Sequence, residues 1–362
     1  MFDSKQLIEI VAGQKTGVLP RLIRLTLGSL TPVYRFGIWI RNRKFNRAIK
    51  TGNSSVVKQA GIPVISVGNL TTGGTGKTPL VIWISQWLRQ KNIRVILISR
   101  GYTQSGHAGR NDEAIEMEDR LPDVPHLQDP DRHRMSQVAI EELESQLIIL
   151  DDGFQHRQLH RNLDLVLIDA TNPFGFGRLI PRGLLREPLS SLRRADLIII
   201  TRVNLVSEHE LKTIHRSISR HAPEVDIAQT QTRFTKLIQV NGIEKPLDES
   251  EISHQPIFVF SGIGNPDNFV LALEEHRFQI GGQLTFADHH EYSREDLQRI
   301  GEKAKQAGAQ RILCTHKDLV KVGTSQLGGI PLFAILIDVE FVEGEKNLTD
   351  RLVQIAGLIQ NS

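Results

Sequence analysis

The feature that most constrains this 362-residue chain is a glycine-rich run, Gly68-Asn-Leu-Thr-Thr-Gly-Gly-Thr-Gly-Lys-Thr-Pro79. Residues 62–67 before it are nearly all apolar, as is typical of a buried parallel strand. Residues 80–89 after it repeat apolar side chains at helical spacing. A glycine-rich turn between a strand and a helix lets backbone N–H groups close around an anion at the helix N-terminus. The run is therefore predicted to be a phosphate-binding loop (P-loop).

This loop departs from the strict pattern G-x-x-x-x-G-K-[ST] at one position, where Thr71 stands in place of the first glycine. The alternative is a glycine-rich turn that binds nothing, but the strand before the loop and the helix after it favour nucleotide binding. In such a loop, Lys77 reaches the β- and γ-phosphates of ATP and the Thr78 hydroxyl holds Mg²⁺. The predicted nucleotide-binding residues are Thr71, Thr72, Gly73, Gly74, Thr75, Gly76, Lys77 and Thr78.

Composition indicates an ordinary globular protein with one basic end. Apolar residues make up 40% of the chain and charged residues 23%, and the single cysteine, Cys314, excludes an internal disulfide. Residues 1–50 contain ten Lys or Arg and two acidic residues, a net charge of +8, whereas the whole chain carries +3. A basic end on a mildly acidic body points to a polyanionic surface as a partner.

Residues 18–45 interleave apolar and aromatic side chains with arginines. The segment has no uncharged run of 18 residues, so it is not expected to span a bilayer, and residues 1–17 lack a secretory signal pattern. A helix with an apolar side and a basic side lies flat in the membrane interface. The alternatives are a basic helix packed on the domain and a nucleic-acid contact, but no nucleic-acid module follows. We predict peripheral association with an anionic membrane surface and no nucleic-acid partner.

Apolar runs that end in polar residues follow the P-loop. One run, residues 93–99, leads into Ser99-Arg100-Gly101-Tyr102, and another, residues 147–150, leads into Asp151 and Asp152. In open α/β sheets, ligands bind at the carboxyl ends of strands, and an acidic residue there supports Mg²⁺ in nucleotide-binding domains. On regular strand geometry the two aspartates point to opposite sides, so we expect only one to face the metal or its water. A strand followed by an Asp-Gly turn is the alternative.

Further apolar runs at residues 163–169 and 195–201 are separated by helix-length segments. This spacing predicts an α/β fold: a P-loop NTPase-like, doubly wound, mostly parallel sheet with a second, smaller α/β domain and an N-terminal membrane-surface helix. The predicted division is residues 1–50 for the membrane-associating segment, 51–225 for the nucleotide-binding domain, 226–255 for a linker or hinge, 256–345 for the smaller domain and 346–362 for a C-terminal helix.

A stiff loop at residues 173–188 contains three glycines, three prolines and three arginines. Within it, Arg186 is suited to stabilise phosphoryl charge and Glu187 to bind or orient Mg²⁺, although a structural Arg–Glu pair explains these two residues equally well. In the predicted smaller domain, Asp288-His289-His290 contains residue types that bind metal ions. Adjacent histidines on an extended backbone face opposite sides and no third ligand lies at a metal spacing, so we favour a proton-handling histidine held by a carboxylate.

Taken together, these motifs resemble the tetraacyldisaccharide 4′-kinases, the lipid A 4′-kinases of outer-membrane biogenesis. The resemblance covers roughly residues 18–355. The motifs in chain order are GNLTTGGTGKTP (68–79), SRGY (99–102), NDE (111–113), DDGFQH (151–156), LLREP (184–188), FSGIGNP (260–266), FADHHEY (286–292) and THKD (315–318). The family's loop resembles GNxTxGGTGKTP, which accounts for Thr71.

The resemblance implies ATP-dependent phosphorylation of the 4′-hydroxyl of a tetraacylated glucosamine disaccharide 1-phosphate, a glycolipid at the cytoplasmic face of the inner membrane. It implies Asp112 as the catalytic base and His289 as its partner. It also assigns Lys77 and Arg186 to the transferred phosphoryl group. The implied Mg²⁺ set is Thr78, Asp151, Asp152 and Glu187. Because Asp112 and His289 fall in different predicted domains, we expect nucleotide binding to close a hinge near residues 222–255.

Two departures from the family pattern are visible. Asn111 stands where the family usually has glycine, and asparagine adopts a left-handed backbone conformation less freely than glycine does, so the backbone conformation before Asp112 is not decided by the sequence. The second departure is THKD at residues 315–318, where the family usually has Thr-Glu-Lys-Asp. Neither removes a proposed catalytic group. The alternative function is a membrane-associated P-loop ATPase of the partitioning type without a glycolipid acceptor, but its loop would carry lysine at the position of Thr72. A nucleotide-sensing scaffold, the third candidate, would leave Asp112 and His289 without a role.

Overall fold

The computed structural model describes residues 4–101, 112–240, 242, 244–246, 255–264, 266–288 and 290–360. Helices α1 to α10 span, in order, Ser4–Ala12, Val18–Thr51, Lys77–Arg89, Asp112–Arg120, Arg132–Glu141, Glu208–His221, Pro266–Glu275, Arg294–Gln306, His316–Val322 and Glu345–Gln360. Strands β1 to β13 span Val64–Asn69, Val95–Ser99, His126–Gln128, Leu147–Asp151, Leu163–Asp169, Leu197–Thr201, Asp226–Ile238, Glu244–Pro246, Ile257–Ser261, Ile280–Thr285, Arg311–Thr315, Gln326–Leu327 and Ile330–Glu343.

The strands form one continuous sheet in the order β10-β9-β11-β13-β7-β6-β5-β1-β4-β2-β3, with β8 paired to β7 and β12 to β13. From β7 to β3, neighbouring strands are parallel, and so are β10, β9, β11 and β13. The doubly wound, mostly parallel sheet predicted from the sequence is confirmed. Because parallel strands end at one edge, the residues that follow β1, β4, β5 and β6 come together there.

The two parallel blocks are joined by the antiparallel pair of β7 and β13. Strand β6 pairs with β7 only at Asp226–Gln229, and β11 pairs with β13 only at Leu332–Ile335. Between these stretches, at residues 230–234 and 337–341, the described part of the sheet is a ribbon of these two strands alone. We call this stretch the ribbon.

Strand β7 occupies the first half of the segment 226–255, where the sequence analysis placed a linker. The strand is rich in Thr and Gln, so its apolar content did not reveal it. Its polar side chains are used instead in cross-strand contacts, for example the 2.7 Å hydrogen bond from Gln231 Nε2 to Glu340 Oε2. Such cross-strand pairs stabilise a sheet without an apolar pattern. The rest of the domain division stays a prediction.

Helix α3 fixes the C-terminal half of the P-loop. Its residues Leu80, Val81, Ile84 and Leu88 are all at most 1% exposed and pack in the core that also contains β1 and helix α10. Full burial of each such aliphatic side chain contributes roughly 1.5–3 kcal/mol. The start of α3, at Lys77, is therefore held rigidly beside the sheet edge.

Helix α2 is 34 residues long, and its only buried residues are Phe45 and Ala48. It is attached to the body by polar contacts, including a 2.9 Å hydrogen bond from Tyr34 Oη to the Arg186 carbonyl. Its exposed apolar residues, each 49–76% exposed, are Val18, Leu19, Leu22, Leu25, Leu30, Val33, Phe36, Trp39, Ile40 and Ile49. Among the described residues, no helix combines the length and apolar character needed to cross a membrane.

Candidate active site

A cavity of about 450 Å³ opens at the carboxyl edge of the strands. One side is formed by the P-loop from Thr72 to Thr78 and by the residues that end β2, β4 and β6. The other side is formed by residues of the ribbon, by Gly262–Gly264 after β9 and by the first residues of α9. Both parallel blocks therefore contribute to the cavity.

The P-loop requires glycine at specific points. Gly73 and Gly76 have φ angles of +110° and +81°, which residues with a side chain rarely adopt. At Gly68, a Cβ atom would lie 2.6 Å from Phe154, so only glycine allows this approach. The loop thus turns tightly into α3, where backbone N–H groups and the helix dipole favour an anion.

The loop is also held from strands β5 and β6. Thr201 Oγ1 donates a 3.0 Å hydrogen bond to the Thr75 carbonyl, and Arg202 Nη1 donates a 3.0 Å bond to the Gly74 carbonyl. Arg202 in turn forms an ion pair with Asp169, the last residue of β5. The sequence analysis identified Asp169 and Thr201 only as polar strand ends and missed Arg202. These contacts preform the loop before any ligand binds.

The carboxylate of Asp152 lies between two cations of the site, Lys77 and Arg186. Arg186 donates two hydrogen bonds to its carboxylate, at 2.8 and 2.9 Å, and Lys77 Nζ lies 3.5 Å from the same group. Lys77 Nζ also donates to Asn69 Oδ1 at 3.3 Å, and Arg186 bonds to the same amide. Two cations around one carboxylate leave an excess of positive charge at the P-loop, which suits a polyphosphate.

The same cluster explains the ionisation of Asp152. Burial by itself would raise its pKa, but the hydrogen bonds from Arg186 and the charge of Lys77 outweigh burial and hold the pKa well below its usual range. Asp152 is therefore a carboxylate at neutral pH and a fixed counter-ion for both cations.

Asp151 and Asp152 both line the cavity. The sequence analysis expected only one of them to face the metal or its water, and this expectation stays a prediction. Strand β4 ends at Asp151, and Asp152 has a left-handed φ of +52°, so the alternation of a strand does not extend to it. The turn is held by Arg132, whose Nη2 donates to the Asp151 carbonyl at 3.2 Å.

Glu187 is not part of the cavity lining, in contrast to its predicted place in the Mg²⁺ set. Its side chain is fully buried and its carboxylate is satisfied by protein groups. The four donors are Arg41 (2.6 Å), Asn42 (2.9 Å), Ser191 (2.9 Å) and Arg194 (2.7 Å). Burial would raise the pKa of Glu187, but Arg194, Asn42 and Arg41 lower it. This residue fastens helix α2 to the body.

The predicted catalytic pair falls largely outside the described residues. His289 lies outside them, and Asp112 is described only as the first residue of helix α4. Their described neighbours do border the cavity: Glu116, one turn after Asp112, and Asp288, next to His289. The roles of Asp112 and His289 stay predictions.

Asp318, which the sequence analysis did not single out, ties three motifs of the smaller block together. It is 1% exposed and accepts hydrogen bonds from the Gly262 N–H (3.0 Å), Tyr292 Oη (2.8 Å) and Thr315 Oγ1 (2.6 Å). Burial raises the pKa of Asp318. The pKa of Tyr292 is also raised, by burial and by the negative charge of Asp318. The network fixes the loops that carry Gly262 and Asp288 at the cavity.

Across the cavity, Asn268 of helix α7 joins the two blocks. Its Nδ2 donates a 2.9 Å hydrogen bond to Thr171 Oγ1, and Thr171 caps the carboxylate of Asp169 through a 2.8 Å bond. Since Asp169 also holds Arg202 and the P-loop, this chain of contacts links the smaller block to the loop.

The fold and the site together define a P-loop nucleotide-binding protein of the kind that transfers or hydrolyses a terminal phosphate. The chain matches the model of the LpxK family, tetraacyldisaccharide-1-P 4′-kinase, over residues 23–356, and it belongs to this family. The family predicted from the sequence motifs is confirmed.

Individual relatives agree with this assignment. The chain is 35% identical over 343 residues to the tetraacyldisaccharide 4′-kinase of Halothermothrix orenii, covering 87% of each chain. It is 34% identical to the enzyme of the same name from Geobacter metallireducens, covering 86% of this chain and 93% of the relative. The crystal structure of LpxK from Aquifex aeolicus in complex with ATP matches with a TM-score of 0.70 and 28% identity, covering 92% of this chain and 99% of the other.

Proposed function

We propose that this protein transfers the γ-phosphoryl group of ATP to the 4′-hydroxyl of a tetraacylated glucosamine disaccharide 1-phosphate, the lipid A precursor. The observation that carries the proposal is the Lys77–Asp152–Arg186 cluster at the P-loop of a chain that belongs to the tetraacyldisaccharide 4′-kinases. The partitioning-type ATPase remains disfavoured, because its loop would carry lysine where this chain has Thr72.

Phosphoryl transfer depends on positioning and charge neutralisation more than on covalent chemistry by the protein. The 4′-oxygen of the acceptor attacks the γ-phosphorus, the bond to the β–γ bridging oxygen breaks, and ADP leaves. Lys77 and Arg186 neutralise the charge on the γ-phosphoryl oxygens, while the P-loop N–H groups hold the phosphates. Asp152 keeps both cations aimed at the loop through the contacts described above.

Asp112 takes the proton of the 4′-hydroxyl as general base, and His289 orients or tunes it. This assignment is supported by the NDE and FADHHEY motifs and by the position of their neighbours, Glu116 and Asp288, on the cavity. Asp112 belongs to the nucleotide-binding block and His289 to the smaller block. A cavity that both blocks form is a place where this pair could meet the acceptor.

The residues that would hold Mg²⁺ are Thr78, Asp151 and Asp152, which all line the cavity and offer the oxygen ligands that Mg²⁺ prefers. Mg²⁺, when bound, neutralises β- and γ-phosphate charge. The carboxylate of Asp152 is also shared by Arg186 and Lys77, so it would link the metal site to both cations. Glu187 is left out of this set for the reasons given above.

The exposed apolar face of helix α2 holds the enzyme in the membrane interface, on the cytoplasmic face of the inner membrane. Beyond the apolar residues, the same helix exposes basic residues Arg43, Lys44, Arg47 and Lys50. Apolar burial together with attraction to anionic headgroups is the combination that binds interfacial helices. The acceptor's acyl chains lie in the same layer, so the helix brings the cavity to its substrate.

The test is an assay of the purified protein with ATP, Mg²⁺ and the acceptor glycolipid in mixed micelles. We expect ADP release that depends on the acceptor and a product heavier by one phosphate at the 4′-position. Asp112→Ala should lower turnover by about 10²–10⁴-fold while ATP still binds, as for the loss of a general base. ADP release at the same rate without acceptor would instead favour the ATPase.

A further inference from the structure

Helix α4 begins at Asp112 and is fastened at its other end by two contacts that no part of the proposed chemistry uses. Arg120 Nη1 donates a 2.8 Å hydrogen bond to the Ile337 carbonyl, and its second Nη atom pairs with the Asp338 carboxylate. Next to it, Asp119 Oδ2 lies 2.8 Å from His316 Nε2. Both contacts join residues that are about two hundred positions apart in the chain.

The partners of α4 belong to different parts of the molecule. Ile337 and Asp338 lie on the ribbon that joins the two blocks, and His316 is the first residue of helix α9 in the smaller block. His316 is 4% exposed, and its Nδ1 atom is buried without a hydrogen-bond partner among the described residues. The Nε2 contact with Asp119 is therefore what satisfies the ring.

Helix α4 also packs on the nucleotide-binding block. Ala114 and Met117 are each 1% exposed, and Met117 belongs to the core that contains helix α3, the helix that starts with Lys77. Helix α4 thus contacts the P-loop helix, the ribbon and the smaller block at once.

The length of α4 makes these contacts decisive. It has nine residues, and isolated helices shorter than about 12–15 residues are marginal in water, so tertiary contacts must set its position. Glu116 lies one turn after the start of α4 and lines the cavity. Fixing the C-terminal end of α4 therefore also fixes the position of its first turn beside the cavity.

We propose that Arg120 and His316 are positioning residues: together they clasp helix α4 between the P-loop helix and the smaller block so that Asp112 is presented to the cavity. The role given to Asp112 rests on the proposed function, whereas the clasp itself rests on the contacts above. Arg120 acts through α4 alone in this scheme. His316 also lines the cavity, so the hydrogen-exchange readout below tests its action through α4 independently of any contact with a ligand.

The test compares Arg120→Ala and His316→Leu with the wild type in the acceptor assay. We expect kcat to fall at least tenfold in each variant, with KM for ATP within about twofold. His316→Gln should recover most of the loss, because its side-chain amide N–H reaches about as far as Nε2 of histidine. Lys212→Ala is the matched control: it breaks the exposed Lys212–Glu208 ion pair, and both of these residues lie on helix α6.

A second readout does not depend on activity. Hydrogen exchange of the amides of residues 114–120 should quicken at least tenfold in His316→Leu and Arg120→Ala but not in Lys212→Ala, at temperatures where all variants are folded. Unchanged kcat together with unchanged exchange would overturn the clasp. So would a loss in His316→Gln equal to that in His316→Leu. If the wild type shows no acceptor-dependent transfer, the proposed function fails, and the exchange experiment alone decides on the clasp.

Discussion

Arg186 and Glu187 are neighbours in the chain, but the structure gives them separate tasks. Arg186 faces the cavity and binds Asp152, whereas Glu187 faces helix α2 and accepts from Arg41 and Arg194. In this structure the two side chains lie on opposite sides of the segment, and of the two only Arg186 lines the cavity. The motif therefore contributes one residue to the cavity and one to the attachment of helix α2.

This assignment predicts the effect of Glu187→Ala. Removing one partner of a buried, hydrogen-bonded ion network leaves uncompensated charge, so the free energy of unfolding should fall by about 3–5 kcal/mol. The Mg²⁺ concentration needed for half-maximal activity should not change at a temperature where the variant is folded. Urea denaturation and a Mg²⁺ titration measure the two quantities, with Glu208→Ala, at an exposed ion pair, as the control. A changed Mg²⁺ requirement at unaltered stability would return Glu187 to the metal site.

His126 predicts a pH dependence of stability. Burial lowers its pKa from 6.5 to about 4, and it contacts Ser99 Oγ at 3.0 Å. The unfolded chain takes up a proton below pH 6.5 and the folded protein does so only near pH 4, so stability is lost as the pH falls between these values. The loss from this residue is about 3 kcal/mol at most.

The measurement is the free energy of unfolding at pH 7 and pH 4.5. His126→Gln should lose less stability over this interval than the wild type, whereas the exposed His209→Gln should behave like the wild type. Equal losses in His126→Gln and the wild type would show that His126 is not the residue responsible.

At the level of elements, helix α2 has one side that bonds to the body of the protein and another side that exposes apolar residues. Tyr34, Arg41 and Asn42 bond to the Arg186–Glu187 segment, and the apolar residues on the other side are exposed. Deleting residues 1–45 would remove the contacts with residues 186 and 187 together with the exposed apolar face for which we propose a membrane role. Point substitutions on the exposed face separate them.

Leu25→Glu and Phe36→Glu should each weaken binding to vesicles that contain anionic lipid by about 10–100-fold. The reason is that each removes an apolar side chain worth roughly 1.5–3 kcal/mol from the interface. Activity on a detergent-dispersed acceptor should change much less. Val353→Glu, at an exposed apolar residue of helix α10, serves as control in the same sedimentation assay. Unchanged partitioning of both α2 variants would refute the membrane role of this face.

At the scale of the whole molecule, the two parallel blocks meet through the ribbon, the clasp of α4 and the contact of Asn268 with Thr171. A two-stranded ribbon bends more readily than the flanking parallel sheets, which are covered by helices. The predicted hinge near residues 222–255 overlaps the β7 half of this ribbon.

We therefore expect Mg²⁺ and a non-hydrolysable ATP analogue to bring the blocks together, because the cavity that receives the nucleotide is bordered by both. Small-angle X-ray scattering should show a smaller radius of gyration with the analogue than without it. Lys77→Ala, which lacks the phosphate-binding cation, should show a weaker response at the same analogue concentration. An unchanged radius in the wild type at saturation would argue against hinge closure.

Much of the site was readable from the sequence because its parts are local. The P-loop lies within twelve consecutive residues, its glycines are required by the backbone itself, and strand-ending aspartates at 151 and 152 follow a pattern that repeats along the chain. The parallel sheet followed from apolar runs at helix-length separations.

What the sequence alone could not decide is which distant groups each side chain meets. Glu187 binds Arg41, 146 positions away, Arg120 meets Asp338, and Arg202 reaches the P-loop from the end of another strand. Strand β7 was hidden because its stability comes from pairing with β13 and not from its own apolar pattern. Local conformation depends on neighbours in the chain, whereas ion pairs and strand order depend on packing of the whole chain, and only the tertiary structure contains that information.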